Sequence, residues 1–367
     1  MESCDRVAAL AEELQRSNLD AVFFGTGAEL RYLTGIHTGT CERFKGVFVL
    51  SDARMFGITP PIYYEEFRAQ LPQECPLYIW EDATWFYPVV RDLLRTYRLE
   101  GKRLGINGDV LGVDALEMQR EAPLELVSAR GILDFLRVRK SPEEVSLLRK
   151  ALEITEEALE AALEHVVPGV TEGELRRFLL GYFEEAGAEG PSFDPNVSRG
   201  AHTATPHYFG TAGVVKPGDL LRFDIGCRYK GYCADLGRTF VVGSPEEEAR
   251  EIYRVVRQAQ EAAQEAVKPG VSAHKVDKAA REVIEKAGFG NYFNHRLGHG
   301  LGMAIHEAPD VKPGNAETLE EGMVFTVEPS ILLPGRFCVH LENTVAVTSG
   351  GCEVLNAREP EPELPSL

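Results

Sequence analysis

The sequence predicts two domains. The first is α/β and about 130 residues long; the second is α+β and carries an internal duplication. Three observations lead there. The chain has 367 residues, more than one hydrophobic core usually serves. Its first part alternates short apolar runs with helical stretches, the rhythm of α/β folds. Its second part repeats itself: VPGV at 167–170 returns as KPGV at 268–271, and EEAGAEG at 184–190 returns as EKAGFGN at 285–291. Pro168 and Pro269, like Gly187 and Gly288, are 101 residues apart. Proline–glycine turns before helices are common, but four motif positions at one offset are better explained by duplication.

Taken in order, MESCDRVAALAEELQRSNLD reads as an amphipathic helix with Val7, Leu10 and Leu14 on one face. It lacks the basic start and apolar core of a signal peptide. DAVFFG, GVFVLSD, LYIW and RLGIN read as strands, and TWFYPVVRDLLRTYRLE as a helix. The domain boundary is expected near residue 130, giving domains 1–130 and 131–358 and an acidic tail over 359–367. Just past the boundary, SPEE marks a helix start. Ser141 caps it, Pro142 takes the first helical position, and Glu143 and Glu144 face the positive end of the dipole. Each copy of the repeat then reads as turn, helix and glycine stop.

Composition excludes several function classes. A net charge of −18 repels phosphate backbones, which argues against a nucleic-acid partner. No apolar run reaches the ~18 residues of a membrane helix. The seven cysteines are scattered, odd in number and never spaced CxxC, a pattern of reduced thiols. Cys227 and Cys233 are expected to be small buried fillers, not ligands. A cytoplasmic protein with no membrane partner is the expectation.

The repeat also points at chemistry. KPGDLLRFDIG and LEEGMVFTVEPS each open an apolar strand with glycine and place an acid six residues later, Asp224 and Glu328. A carboxylate inside such a strand needs a cation or a proton, because burying it alone costs several kcal/mol. A second acid follows each. Asp235 lies eleven residues after Asp224, across a hairpin turn at Gly231; Glu342 lies fourteen after Glu328, across a turn at Pro334-Gly335. Two hairpins with two inward acids apiece place four carboxylates about a pseudo-twofold axis. Roughly two divalent ions would neutralise them, and a carboxylate-rich set with one imidazole suits Mn, Co or Zn. His299, between glycines in GHG, is the natural fifth ligand. A lone histidine is ordinarily a satisfied core residue; the glycines and acids around this one argue otherwise.

FDIGCRYKGYCADLGRTF, GHGLGMAIHEAP, FTVEPSI and HLENTVAV resemble the successive motifs of the pita-bread metallopeptidases, in the branch of prolidase and Xaa-Pro aminopeptidase. The resemblance covers the second domain closely and the first more loosely, as a creatinase-like N-terminal domain. It implies a pita-bread catalytic fold and two divalent ions. Asp224 would chelate one ion, Asp235 and Glu342 would bridge both, and His299 and Glu328 would hold the second. Water activated at the metal pair would attack the peptide carbonyl with Glu328 as base. His207, in TATPHYFG, matches the histidine beside the leaving group. His306 matches the histidine that contacts the substrate amide. The glycines would let substrate and metal approach. His295 has no counterpart and is expected at the surface. The implied activity is cleavage of the Xaa-Pro bond of a proline-containing peptide by a homodimer. Xaa-Pro dipeptidase is favoured over Xaa-Pro aminopeptidase acting on longer peptides. A degenerate family member that only binds a partner is the remote alternative, disfavoured because all five ligands and both histidines are present.

The pattern is departed from twice. Asp310 stands where prolidases are expected to carry an arginine after HEAP. HLEN replaces RIED, so that His340 stands for arginine and Asn343 for aspartate. Asp310 cannot pair with the carboxylate of a dipeptide, which needs a cation. Arg43, in TGIHTGTCERFKG, is the expected replacement, with Lys312 as the second candidate.

Overall fold

Val7, Leu10 and Leu14 are all buried along the helix Ser3–Arg16, as the amphipathic spacing requires. The computed structural model describes residues 3–367 and divides at Leu136/Arg137 into two units. In the first unit, Ala21–Gly25 and Gly46–Leu50 are buried at every position, so both faces are apolar and both strands sit centrally in their sheet. The sheet is six-stranded and mixed, in the spatial order Leu77–Ile79, Met55–Thr59, Gly46–Leu50, Ala21–Gly25, Arg103–Ile106, Glu125–Ser128.

Two of those strands were not expected. Met55–Thr59 returns antiparallel to Gly46–Leu50 through a turn with Ala53 at φ 66°, which no glycine announces. Glu125–Ser128 is an edge strand with no fully buried residue. The helix in TWFYPVVRDLLRTYRLE is shorter than the motif, Tyr87–Thr96. Trp85 takes φ 58° and ends the regular backbone before it.

In the second unit the repeat governs the layout. A helix pair, Pro142–Leu163 and Glu172–Glu185, is matched by Glu247–Ala266 and Ala273–Lys286. The VPGV and KPGV turns join the two helices within each pair, with Gly169 and Gly270 at positive φ. Gly187 and Gly288 close the second helix of each pair in the same left-handed conformation. Ser141 forms a capping box: its Oγ accepts from the Glu144 amide at 3.3 Å, and the Glu144 carboxylate accepts from the Ser141 amide at 2.8 Å.

The first helix pair packs on a three-stranded sheet ordered Leu236–Val241, Leu220–Ile225, Asn196–Arg199. The second packs on a five-stranded sheet ordered Glu307–Val311, Gly298–Gly300, Val324–Val327, Asn343–Thr348, Gly351–Val354. The strand pairs in both are antiparallel. The two halves join along Leu236–Val241, where the Glu342 amide donates to the Gly237 carbonyl at 3.0 Å and the His340 amide to Thr239 Oγ1 at 3.0 Å. The acidic tail is fastened down. The Val241 amide donates to the Pro365 carbonyl at 2.9 Å, the Leu367 amide donates back to Val241 at 2.8 Å, and Leu364 is buried.

Candidate metal centre and active site

Each half delivers two acids by the same device. Asp224 is the next-to-last residue of one strand of an antiparallel pair and faces Gly237 on the other, with Asp235 just before that second strand. Glu328 follows Val324–Val327, whose partner Asn343–Thr348 begins one residue after Glu342. The hairpin turns are as the sequence suggested: Lys230 and Gly231 are both at positive φ, and Gly335 has φ 71°. Such a loop suits the twist of the flanking strands.

The four carboxylates and His299 converge. His299 Nε2 lies 3.3 Å from Glu328 Oε1 and 3.6 Å from Asp235 Oδ2. Atoms of Asp235, His299 and Glu342 fall within 4.8 Å of one another, as do those of Glu328, His340 and Glu342. The Nδ1–H of His299 donates to the Gly300 carbonyl at 3.1 Å, which leaves the Nε2 lone pair for a cation. Thr326 Oγ1 accepts from the His299 amide at 3.1 Å and donates to Glu328 Oε1 at 3.2 Å.

Electrostatics show the cost of this arrangement. Burial, and then the charge of Asp224, pushes Glu328 up to about 8. Burial raises Asp224, and with Asp224 and Glu328 nearby it raises Asp235 further; burial and Asp235 do the same for Glu342. Burial lowers His299 to about 3, so the imidazole is neutral and able to ligate. Four acids that prefer protons to bare charge, beside a neutral imidazole, form a donor set that fits hard or borderline divalent ions.

Seven of the eight candidate residues line one cavity of about 570 Å³: Asp224, Asp235, His299, Glu328, Glu342, His207 and His306. His207 rides on a loop that Arg222 holds through the Thr205 and Pro206 carbonyls at 3.1 and 2.8 Å. Asn196 adds a bond to Pro206 at 2.7 Å. Glu172 anchors the same loop, accepting from the Arg199 amide at 2.8 Å, Tyr208 Oη at 2.9 Å and the Gly213 amide at 3.1 Å. The His306 ring stands edge-on to His299, with centroids 4.3 Å apart. Next to it, Glu307 is gripped by Arg137 and by Lys140, the latter at 2.8 Å. Burial would raise Glu307, but these two cations outweigh it and hold it below the usual range. Neither Glu172 nor Glu307 stood out in the sequence, since an acid in a helix's first turn and an acid beside a histidine both read as ordinary.

Arg43 belongs to the first unit. It pairs with Asp82 and lies 6.0 Å from the Trp80 ring. Lys312 is spent on Asp310 at 2.7 Å. Asp310 also binds Arg296 at 2.5 Å, and Arg296 lines the cavity. Asn343 accepts from Arg238 at 2.9 Å and donates to Glu359 at 3.0 Å, so the amide serves both neighbours. Cys227 and Cys233 are buried thiols bonded to the Ala151 and Met303 carbonyls.

Two expectations are corrected. His295 is not a surface residue: it lines the cavity, bonded to the Arg296 carbonyl and to Ser330 Oγ, each at 2.7 Å. The glycines of GHG do not serve the approach of substrate or metal. A Cβ on Gly298 would sit 1.8 Å from the Thr326 carbonyl oxygen, and one on Gly300 would sit 2.0 Å from that of Ala308. They let neighbouring strands close up behind His299.

Buried acids and an imidazole gathered at a cavity wall, on a duplicated antiparallel frame, define a metal-dependent hydrolase. The sequence agrees at full length: residues 146–349 match metallopeptidase family M24, and residues 6–139 match the creatinase/prolidase N-terminal domain. This chain belongs to metallopeptidase family M24. It is 31% identical to a Pyrococcus horikoshii Xaa-Pro dipeptidase, over 97% of this chain and 98% of that one. It is 33% identical to the Xaa-Pro dipeptidase of Pyrococcus furiosus, over 97% and 99%. The crystal structure of a Thermococcus sibiricus prolidase superposes with a TM-score of 0.93 at 32% identity, covering all of both chains.

Proposed function

We propose that this protein is a dinuclear Xaa-Pro dipeptidase, with Asp224, Asp235, His299, Glu328 and Glu342 holding the ions. The observation that carries the reading is the convergence of those five residues with His207 and His306 on one cavity. Bound divalent ions supply Lewis acidity toward the scissile carbonyl and acidify the attacking water. The residues do the rest. Glu328, within 3.3 Å of His299 Nε2, accepts the proton of the attacking water. His207 and His306, both exposed to the cavity, bind the substrate around the scissile bond. Mn, Co or Zn suits the donors, and a cytoplasmic homodimer acting on proline-containing peptides completes the proposal.

The free carboxylate of a dipeptide calls for a cation. Arg43 is the first candidate, and Arg296, already on the cavity wall, is the second. The test compares an Xaa-Pro dipeptide with an Xaa-Pro tripeptide. Chelation should abolish hydrolysis of both, and Mn or Co should restore it. Asp235→Ala should lose several orders of magnitude. Alanine at the arginine that binds the carboxylate should lower kcat/KM for the dipeptide by about 10- to 150-fold, the worth of a charged hydrogen bond, while sparing the tripeptide. Full activity in demonstrably metal-free protein would sink the metallopeptidase reading. Equal losses on both lengths would mean that the arginine has a structural role, and no change on either length for both arginines would instead favour an aminopeptidase.

A further inference from the structure

His340 is buried with no hydrogen-bond partner at either ring nitrogen. Buried polar atoms are nearly always paired, so an orphaned imidazole calls for a partner. Its Nε2 lies 3.9 Å from Glu328 Oε2 and 3.9 Å from Glu342 Oε2. Those distances are too long for hydrogen bonds. They suit donors that share an ion, since two atoms each about 2.1 Å from a metal stand roughly 3–4 Å apart. The three residues form a potential metal-holding group, separate from the group of Asp235, His299 and Glu342 but sharing Glu342 with it. Room for the ring has been cleared from the facing strand. A Cβ at Gly237 would lie 2.6 Å from His340 Cε1 and 2.8 Å from Nδ1.

We propose that His340 is a sixth protein ligand of the metal centre, binding through Nε2 with Glu328 and Glu342. This rests on the reading of the cavity as a metal site and adds to it a second imidazole beside His299. A second neutral nitrogen adds a borderline-soft donor to a set otherwise rich in carboxylates. It moves the preference of that position toward Zn or Co and away from Mn.

The full-length protein, loaded with Co alone, tests this without any variant. X-ray absorption at the metal edge should count two imidazoles per bound pair; one imidazole per pair would overturn the proposal. His340→Ala should drop the count to one and weaken binding of one of the two ions by at least about 10- to 100-fold, the cost of losing even an outer partner of a metal ligand. His340→Gln, of similar bulk, gives the same reading if the alanine variant does not fold. Unchanged Co affinity in either folded variant also overturns the proposal. A wild type that binds no divalent ion defeats the metal centre itself, a result distinct from loss of His340's part in it.

Discussion

His207 and His306 reach the cavity from different loops, one held by Arg222 and Glu172, the other beside the Glu307 ion pairs. Neither belongs to the potential metal-holding groups. Alanine at either should therefore leave metal content near wild type while turnover falls by roughly 100-fold or more, the scale of a lost transition-state hydrogen bond or proton donor. Metal analysis beside steady-state kinetics decides the matter, and loss of bound metal in His306→Ala would reverse its role. At this scale the sequence was most legible where a residue broke its surroundings. Asp224 and Glu328 were visible because a carboxylate interrupts an apolar strand. His340 was visible only as a departure from RIED, because its closeness to Glu328 arises from the pairing of Ser330–Leu333 with Phe337–His340, which sets Ser330 opposite His340. Glu172 and His295 act through loops distant in sequence, and local pattern carries no trace of such bonds.

Among the elements, the strand Gly298–Gly300 is tightly constrained. Backbone lies against both of its glycines, so there is no flexible side chain to yield. Gly298→Ala should cost more than the ~1–3 kcal/mol usual for overpacking, and a thermal melt should show a drop of several degrees. Gly181, inside Glu172–Glu185, has open space where a Cβ would go. Gly181→Ala should gain roughly 0.5–1 kcal/mol in the same assay. A mild effect at 298 would mean that the strands yield around an added Cβ, and a loss at 181 that this helix position is not free. Helix ends and hairpins could be read in advance because capping and turn chemistry are local, as at Ser141 and Gly231. Met55–Thr59 and Glu125–Ser128 could not be, since each depends on the edge it joins more than on its own composition.

At the scale of the molecule, the buried acids tie stability to pH. In the folded chain without ions their pKa values are raised, with Glu328 at about 8. The fold then binds more protons than the unfolded chain, so stability falls as pH rises. For Glu328 the contribution is complete below about pH 4.3, the ordinary carboxylate value, and is lost as pH climbs to about 8. Chelated protein should accordingly melt at a lower temperature at pH 8.5 than at pH 6, and Mn or Co should erase or invert that difference. Equal Tm values for chelated protein across this window would show that water or neighbouring cations already neutralise the site. The duplicated frame gives this coupling a mechanical side. Asp224 and Asp235 come from the first copy, and His299, Glu328 and Glu342 from the second, so neither copy owns all five of the proposed ligands. An ion held between them would act as a latch, one that the copies could not part without surrendering. Amide hydrogens along the seam at Gly237 and Glu342 should then exchange with solvent only as fast as the metal leaves.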